Sequence, residues 1–255
     1  MGKNIRINSM GKSGIIGLIS SVTAECKILK KELKRDKHSN LNSPVFYSGM
    51  ISGRKIVLAI SGVGKTNAAH AATLLIEKYA PALIINFGIG GAYPSSGLKV
   101  GDIAVAEKEI YGDEGIIIKE GFSDMRLIGF PIFKIRNKKY LNAFPLDKSF
   151  TKKAVKSVKL SSNFKFGRFV TVSTCTGIIK RALELEKRHN AICENMEGAA
   201  IAHICAMHGI PMTEIRGISN IVENRDTKKW DIKLASKNCQ KVLLNLLKTL
   251  GNDLK

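Results

Sequence analysis

Apolar runs of strand length recur along the chain at 14–20, 56–60, 83–87, 102–106, 168–173, 191–194 and 212–218. Between them the apolar positions follow a helical period: at 23–35 through Ile28, Leu29 and Leu33, at 65–79 through Ala68, Ala71 and Leu75, and again at 177–188 and 197–208. A final helix begins near 231 and turns Ile232, Ala235, Cys239, Val242 and Leu246 inward. Strands that alternate with helices predict an α/β fold with a largely parallel sheet covered on both faces. In such sheets ligands sit at the carboxyl ends of the strands. Two stretches break the pattern. The glycine run "NFGIGGAYPSSG" brings backbone close to some other group, and 112–150 is a long, weakly patterned excursion of the kind that forms functional loops or packs on a partner subunit.

A chain of 255 residues with 44% hydrophobic residues can bury one large core, so a single domain over 13–255 is expected, preceded by an extension over 1–12. Lys3, Arg6 and Lys12 ahead of the apolar Gly14 to Val22 imitate a signal peptide, but the run is short, no small-x-small cleavage site follows, and a helical pattern begins directly after it. No run approaches the roughly 18 apolar residues of a membrane span. Cys26, Cys175, Cys193, Cys205 and Cys239 are widely and irregularly spaced, which suggests neither a disulfide framework nor a zinc site and fits a reducing, cytoplasmic setting.

The formal charge of +20 is concentrated between Lys134 and Arg168, where eleven Lys and Arg residues face the single acid Asp147. Lys152, Lys156 and Lys159 share one helical face, with Val155 and Val158 on the other. A basic stripe can bind nucleic acid, but this one lacks interleaved aromatics and any familiar nucleic-acid motif, so a solvated face is the expected role.

The segment "IVLAISGVGKTNAAH" (Ile56 to His70) begins like a phosphate-cradling P-loop. A Walker A loop needs a glycine where this chain has Ala59, and Ser61-Gly62-Val63-Gly64 is about half the loop required to wrap phosphates. What remains is a strand, a tight turn and a helix N-terminus whose amides could face a polar ligand.

Polar residues gather at the predicted strand ends: Glu25 after the first strand, Asn86 before the glycine run, Glu194 to Glu197 after another, and Arg216 with Ser219 and Asn220 at the last. Each alone is explained by capping or a surface ion pair. Together they place carboxylates, a guanidinium and an amide around one crevice.

On these residues the chain carries a resemblance. "NMEGAAIAHIC" (Asn195 to Cys205) with "EIRGISNIV" (Glu214 to Val222) resembles the nucleoside phosphorylase and nucleosidase superfamily. "SGVGKTNAAHAATLLIEKYAPALIINFGIGGA" with "LKVGDIAVAE" (Leu98 to Glu107) is similar to its 5′-methylthioadenosine/S-adenosylhomocysteine nucleosidase branch. The resemblance implies a three-layer α/β/α fold with a mixed, mainly parallel central sheet, a homo-oligomer of two or more subunits, a small-molecule purine nucleoside as substrate, no cofactor and no metal. It implies that Glu197 bonds the ribose hydroxyls, Met196 lies beneath the sugar, Glu25 with Arg216 holds the attacking water, and Asn220 meets the departing purine. The loop "TVSTCTGII" (Thr171 to Ile179) aligns with a base-binding loop, which makes Thr176, Gly177 and Ile178 candidates for substrate contact, although a stacking phenylalanine is absent. Gly88 and Ile89 complete the set, Ile89 standing where related enzymes have a water-binding serine.

The roles are chemically sensible. A buried carboxylate beside the sugar stabilises the cationic transition state more than the ground state, and a second can take a proton from water, worth about 10²–10⁴ in rate. Asn86 stands where related phosphorylases carry a phosphate-binding arginine, which favours hydrolysis over phosphorolysis. Asn220 replaces the aspartate of enzymes acting on 6-aminopurines, and an amide can pair with an oxygen at carbon 6. "RGISNIVENRDTKKW" (Arg216 to Trp230) further resembles the futalosine hydrolase group, which releases hypoxanthine in a menaquinone route and whose substrate carries a benzoate. The alternatives are a methylthioadenosine, S-adenosylhomocysteine or aminofutalosine nucleosidase, a purine nucleoside phosphorylase, and a basic nucleic-acid-binding protein.

Overall fold

In a computed structural model the described residues are 14–38, 44–159 and 163–250, so the expected extension over 1–12 lies outside them. The strands, in chain order, are β1 (Ile16–Ser20), β2 (Lys34–His38), β3 (Val45–Ile51), β4 (Arg54–Ile60), β5 (Leu83–Ala92), β6 (Ile103–Tyr111), β7 (Gly115–Ile118), β8 (Gly121–Asp124), β9 (Phe133–Ile135), β10 (Lys138–Tyr140), β11 (Ala143–Pro145), β12 (Phe164–Thr171), β13 (Ala191–Asn195) and β14 (Met212–Ile221). The α-helices are α1 (Lys27–Glu32), α2 (Lys65–Tyr79), α3 (Met125–Ile128), α4 (Lys148–Lys159), α5 (Ile179–His189), α6 (Gly198–His208) and α7 (Ile232–Thr249).

The central sheet is mixed and mainly parallel, as the sequence implies. β4, β1, β5 and β14 run parallel, while β14 meets β6 antiparallel and β6 continues in parallel through β12 to β13. β13 then returns antiparallel to β5 at Ala92 and Gly91. The sheet therefore closes on itself through β5, β14, β6, β12 and β13, and β5 belongs to two neighbourhoods. Its first half pairs with β1 and its end pairs with β13. A crevice opens where those two partners part.

Side-chain alternation along the strands supplies both cores. Ile19 and Val57 face one side, with Leu75 of α2 and Ile201 of α6. Leu18 and Leu58 face the other, with Val242 and Leu246 of α7. The glycine run is not a loop: β5 continues through it to Ala92. A Cβ on Gly90 would lie 2.6 Å from the Cys193 sulfur, and one on Gly91 would lie 2.7 Å from Val222, so the closing of the sheet requires both glycines.

Several expectations are revised. The helix expected over 23–35 is a 3₁₀ turn, Thr23–Glu25, followed by the short α1 and the edge strand β2. β3 lacks the continuous apolar run that marks the other strands, because it lies between β4 and the edge strand β2 and is only partly buried. Ile232 is exposed at the start of α7, whereas Ala235, Cys239, Val242 and Leu246 are fully buried. The excursion over 112–150 folds into two hairpins, β7–β8 and β9–β10, before β11 joins β6. In α4, Ala154 and Val158 are buried while Lys152 and Lys156 are exposed, the arrangement of a solvated basic face. No helix among the described residues is long and apolar enough to cross a membrane.

Candidate active site

The strand ends around the crevice deliver their side chains into one cavity of about 220 Å³. Glu25, Met196, Glu197, Asn220, Thr176 and Ile89 line it, together with Val63 from the turn after β4. Polar residues separated by more than a hundred positions thus converge, as the strand-end rule requires.

Glu25 is held by four donors. Its Oε2 accepts from the Ser21 amide at 2.9 Å, the Ser21 hydroxyl at 2.7 Å and the Val22 amide at 3.3 Å, and its Oε1 accepts from the Ile89 amide at 2.8 Å. The 3₁₀ turn exists to bring this carboxylate back over the end of β1. Gly88 lies directly behind it, and a Cβ there would run into the carboxylate and come within 2.9 Å of Arg216 Nη1.

Glu197 follows β13 at the N-terminus of α6. Asn195 fixes this corner, its side-chain oxygen accepting from the amides of Glu197 and Gly198 at 2.9 and 2.7 Å. Oε1 of Glu197 accepts from the Gly64 amide at 3.0 Å, and Oε2 lies 3.6 Å from Arg216 Nη1. Burial raises its pKa above the ordinary carboxylate range; Arg216 and the Gly64 amide offset part of that, while Glu25 and Glu214 add to it.

The Gly64 bond also settles the turn after β4. The Gly62 and Ser61 amides donate to the carbonyls of Ser21 and Ser20, and Lys65 pairs with Asp113 and Glu114. Three of the amides of this turn, those of Ser61, Gly62 and Gly64, are thus taken by the protein itself.

Arg216 is 1% exposed and stands behind the cavity wall instead of lining it. Its Nε donates to Glu214 at 2.8 Å and its Nη1 to the Ile89 carbonyl at 3.2 Å. Burial opposes its charge, but Glu214, Glu197 and Glu25 outweigh burial and keep the guanidinium protonated. It reaches the cavity through the carboxylate of Glu197. Asn86 is also buried and outside the lining.

At the far end of the cavity Thr176 is fixed by Glu194, which accepts from its amide at 2.9 Å and its hydroxyl at 2.6 Å while also taking the Tyr93 hydroxyl at 3.1 Å. Asn220 Oδ1 accepts from the Ser219 hydroxyl at 2.8 Å, and its Nδ2 donates to the Ile221 carbonyl at 3.1 Å. Beside it the Arg225 guanidinium lies over the Trp230 ring, 4.7 Å from its centroid. Both also line an adjoining recess of about 210 Å³. Gly177 and Ile178 are outside the lining: the Gly177 carbonyl accepts from the Arg225 amide at 3.1 Å, and Ile178 is exposed at the head of α5.

Residues 15–248 match the model of the phosphorylase superfamily. The chain belongs to that family. Among its curated relatives, a 5′-methylthioadenosine/S-adenosylhomocysteine nucleosidase of Buchnera aphidicola is 32% identical over 245 residues, covering 94% of this chain and 92% of its own. A futalosine hydrolase of Thermus thermophilus is also 32% identical, over 201 residues, 79% of this chain and 85% of its own. Among solved structures, a 5′-methylthioadenosine/S-adenosylhomocysteine nucleosidase of S. pneumoniae with the transition-state inhibitor MT-ImmA is 26% identical with a TM-score of 0.79, covering 92% of this chain and 99% of that one. The expected mixed α/β/α architecture and membership of an N-glycosyl hydrolase family of enzymes are therefore established.

Within this superfamily fold the cavity contains residues that the sequence reading passed over. Val63 and Cys175 are among them, and Ser219, Arg225 and Trp230, which lie in stretches already singled out, line it as well. Arg225 and Trp230 carry a signal in the sequence, since a cation and the single tryptophan lie a few positions beyond Asn220. Val63 and Cys175 carry none; each is an ordinary turn or loop residue until the fold closes. No group of three or more His, Cys, Asp or Glu residues among those described could hold a metal.

Proposed function

We propose that this phosphorylase-superfamily enzyme hydrolyses the N-ribosidic bond of futalosine and releases hypoxanthine. Water attacks C1′ of the ribose, Glu25 receives its proton, and the bonding electrons of the breaking C–N bond leave with the purine, which takes up a proton. Glu197 accepts from the ribose hydroxyls, and its charge is strongest in effect as the sugar becomes cationic. Met196 supports the sugar face. Asn220 meets the base, and Thr176 packs beside it. Arg216 serves as the charge partner that orients Glu197.

The observation that carries the 6-oxopurine reading is the chemistry of the base end. It presents the Asn220 amide beside the Arg225 guanidinium, which can only donate, and the neighbouring carboxylate Glu194 is engaged by Thr176 and Tyr93. An oxygen at carbon 6 is matched by these N–H groups, whereas an amino group there would face the Arg225 donors with only the Asn220 carbonyl to accept from it. The second reading is a 5′-methylthioadenosine/S-adenosylhomocysteine nucleosidase, favoured by a relative of equal identity over more of the chain. The two separate on incubation with futalosine, aminofutalosine, methylthioadenosine and inosine, with and without phosphate, followed by chromatography of the released base. Phosphate-independent hypoxanthine from futalosine supports the first reading, adenine from methylthioadenosine at a higher kcat/KM supports the second, and a requirement for phosphate excludes both.

Two further properties belong to this reading. Ile117 on the first hairpin, Leu127 on α3 and Phe130 in the loop after it are exposed and support a homo-oligomer, which light scattering of the full chain would test. Five unpaired cysteines, four of them buried, are consistent with a cytoplasmic location.

A further inference from the structure

Beneath the cavity Glu109 of β6 is fully buried beside Glu214 and Arg216 of β14. The two carboxyl groups meet over Gly198: a Cβ built there would collide with Glu109 Oε1 and lie 2.6 Å from Glu214 Oε2. Among the described residues no hydrogen bond bridges them. Glu109 accepts the Asn195 amide at 2.6 Å on Oε1 and the Thr171 hydroxyl at 2.7 Å on Oε2, and the Thr171 oxygen is itself fixed by the Ala199 amide at 2.7 Å. Glu214 spends Oε1 on the Arg216 Nε at 2.8 Å, and its Oε2 is buried without a hydrogen-bond partner. Arg216 Nη2 is likewise buried without a hydrogen-bond partner. A hydrogen atom between the two carboxyls would satisfy Oε2 of Glu214, and since Glu214 is the acid paired directly with Arg216, Glu109 is the one placed to carry it.

We propose that Glu109 is a positioning residue: it keeps its proton and donates it to Oε2 of Glu214, so the buried pair carries one negative charge and pins Arg216 behind Glu197. The charged groups facing the pair are Arg216, with Glu197 and Glu25 beyond it; β12 and β13 contribute the neutral Thr171 and Asn195. With both acids ionised, two anions would face each other while the single guanidinium is shared with two further carboxylates. The energetics agree: burial drives the Glu109 pKa well above the carboxylate range, Glu214 drives it further, and Thr171, Arg216 and Asn195 recover only part. The consequence for the reaction is that Glu214 holds Arg216 at fixed geometry, and Arg216 then balances Glu197 without being drawn toward a second anion.

The protonation state does not depend on which purine nucleoside is the substrate, so it is tested separately from the proposed function. Infrared difference spectra of the full-length protein at neutral pH, in water and deuterium oxide, should contain the carbonyl stretch of a protonated carboxyl group that disappears in Glu109→Gln. A wild-type spectrum without that band overturns the proposal whatever the variants do. Base-release kinetics supply the second readout. Glu109→Gln keeps a neutral donor toward Glu214 and should retain kcat within about fivefold with an unmoved acid limb, whereas Glu109→Leu leaves a buried carboxylate oxygen unpaired and should lose roughly 10-fold or more in kcat. Equal losses in the two variants, or an acid limb displaced by Glu109→Gln, would show that Glu109 acts as an anion.

Discussion

Replacing Glu197 by Gln keeps the shape of the side chain and removes its charge. In the folded protein that charge is 5% exposed, bonded to the Gly64 amide and 3.6 Å from Arg216 Nη1. The cavity floor thus holds an anion that little water reaches, and removing one such stabiliser of a developing cation costs roughly 3–4 kcal/mol, about 10²–10³ in kcat. KM should change much less, because the hydroxyl contacts survive in the amide. Stability should move the other way. The raised pKa means that the native state binds more protons than the unfolded chain between the ordinary carboxylate value and the raised one, so the wild type loses stability as pH rises through that window. The Gln variant has no such loss: its Tm should exceed that of wild type at neutral pH and converge with it below about pH 4, where Glu197 is protonated in both states. The wild-type kcat/KM should also fall with acid in the same raised window, a limb absent from the variant. Steady-state kinetics and thermal unfolding across a pH series measure all three. Turnover within about threefold of wild type, or a variant less stable at neutral pH, would refute the reasoning.

Gly88→Ala should fold, by circular dichroism, yet lose about 10²-fold in kcat/KM, since its methyl displaces the Glu25 carboxylate from its donors; activity near wild type would mean that Glu25 tolerates displacement. Asn220→Asp places an anion opposite the purine oxygen, and the ratio of kcat/KM for futalosine to that for aminofutalosine should fall by about 10-fold or more, the cost of an unpaired buried polar group; an unchanged ratio would remove Asn220 from the base site. His189, whose pKa burial and Arg188 lower to about 4 against the partial opposition of Asp124, binds fewer protons in the native state than in the unfolded one, so stability should decline as pH falls from about 6.5 toward 4. His189→Asn should flatten that decline in chemical denaturation.

The elements legible in the sequence are those buried on both faces. β1, β4, β5, β6, β12, β13 and β14 are read as apolar runs, and α2 matches its expected bounds at Lys65–Tyr79, because continuous burial and a helical period leave unmistakable patterns. β3 and the hairpins of the excursion bury one face or none, as in β7, where every residue is exposed. Local pattern cannot mark them. The glycine run illustrates a subtler limit: its composition signals close approach, but only the fold shows that the approaching groups are Glu25, Cys193 and Val222 and that the segment remains a strand.

For the site, the sequence identifies polar groups that must leave the core at strand ends, and Glu25, Glu197, Met196, Asn220, Thr176 and Ile89 do meet in one cavity. It cannot identify how those groups are electrically balanced. Arg216 resembles a substrate ligand in the linear pattern, yet full burial and the bond to Glu214 hold it behind the wall. Glu109 gave no signal at all, since a glutamate in "VAEKEIY" reads as an outward residue of an alternating strand. The closing of the sheet changes that: at Glu109 the neighbours of β6 are β12 and β11, and position 109 turns inward toward Thr171 and Glu214. Closely spaced buried acids cost stability, and the fold offsets them with one guanidinium and, on our proposal, one retained proton. A single-residue lapse in either compensation would act on Glu197 from below. The positions that set the rate therefore extend beyond those that touch the substrate, and they are found by following each buried charge to its partner.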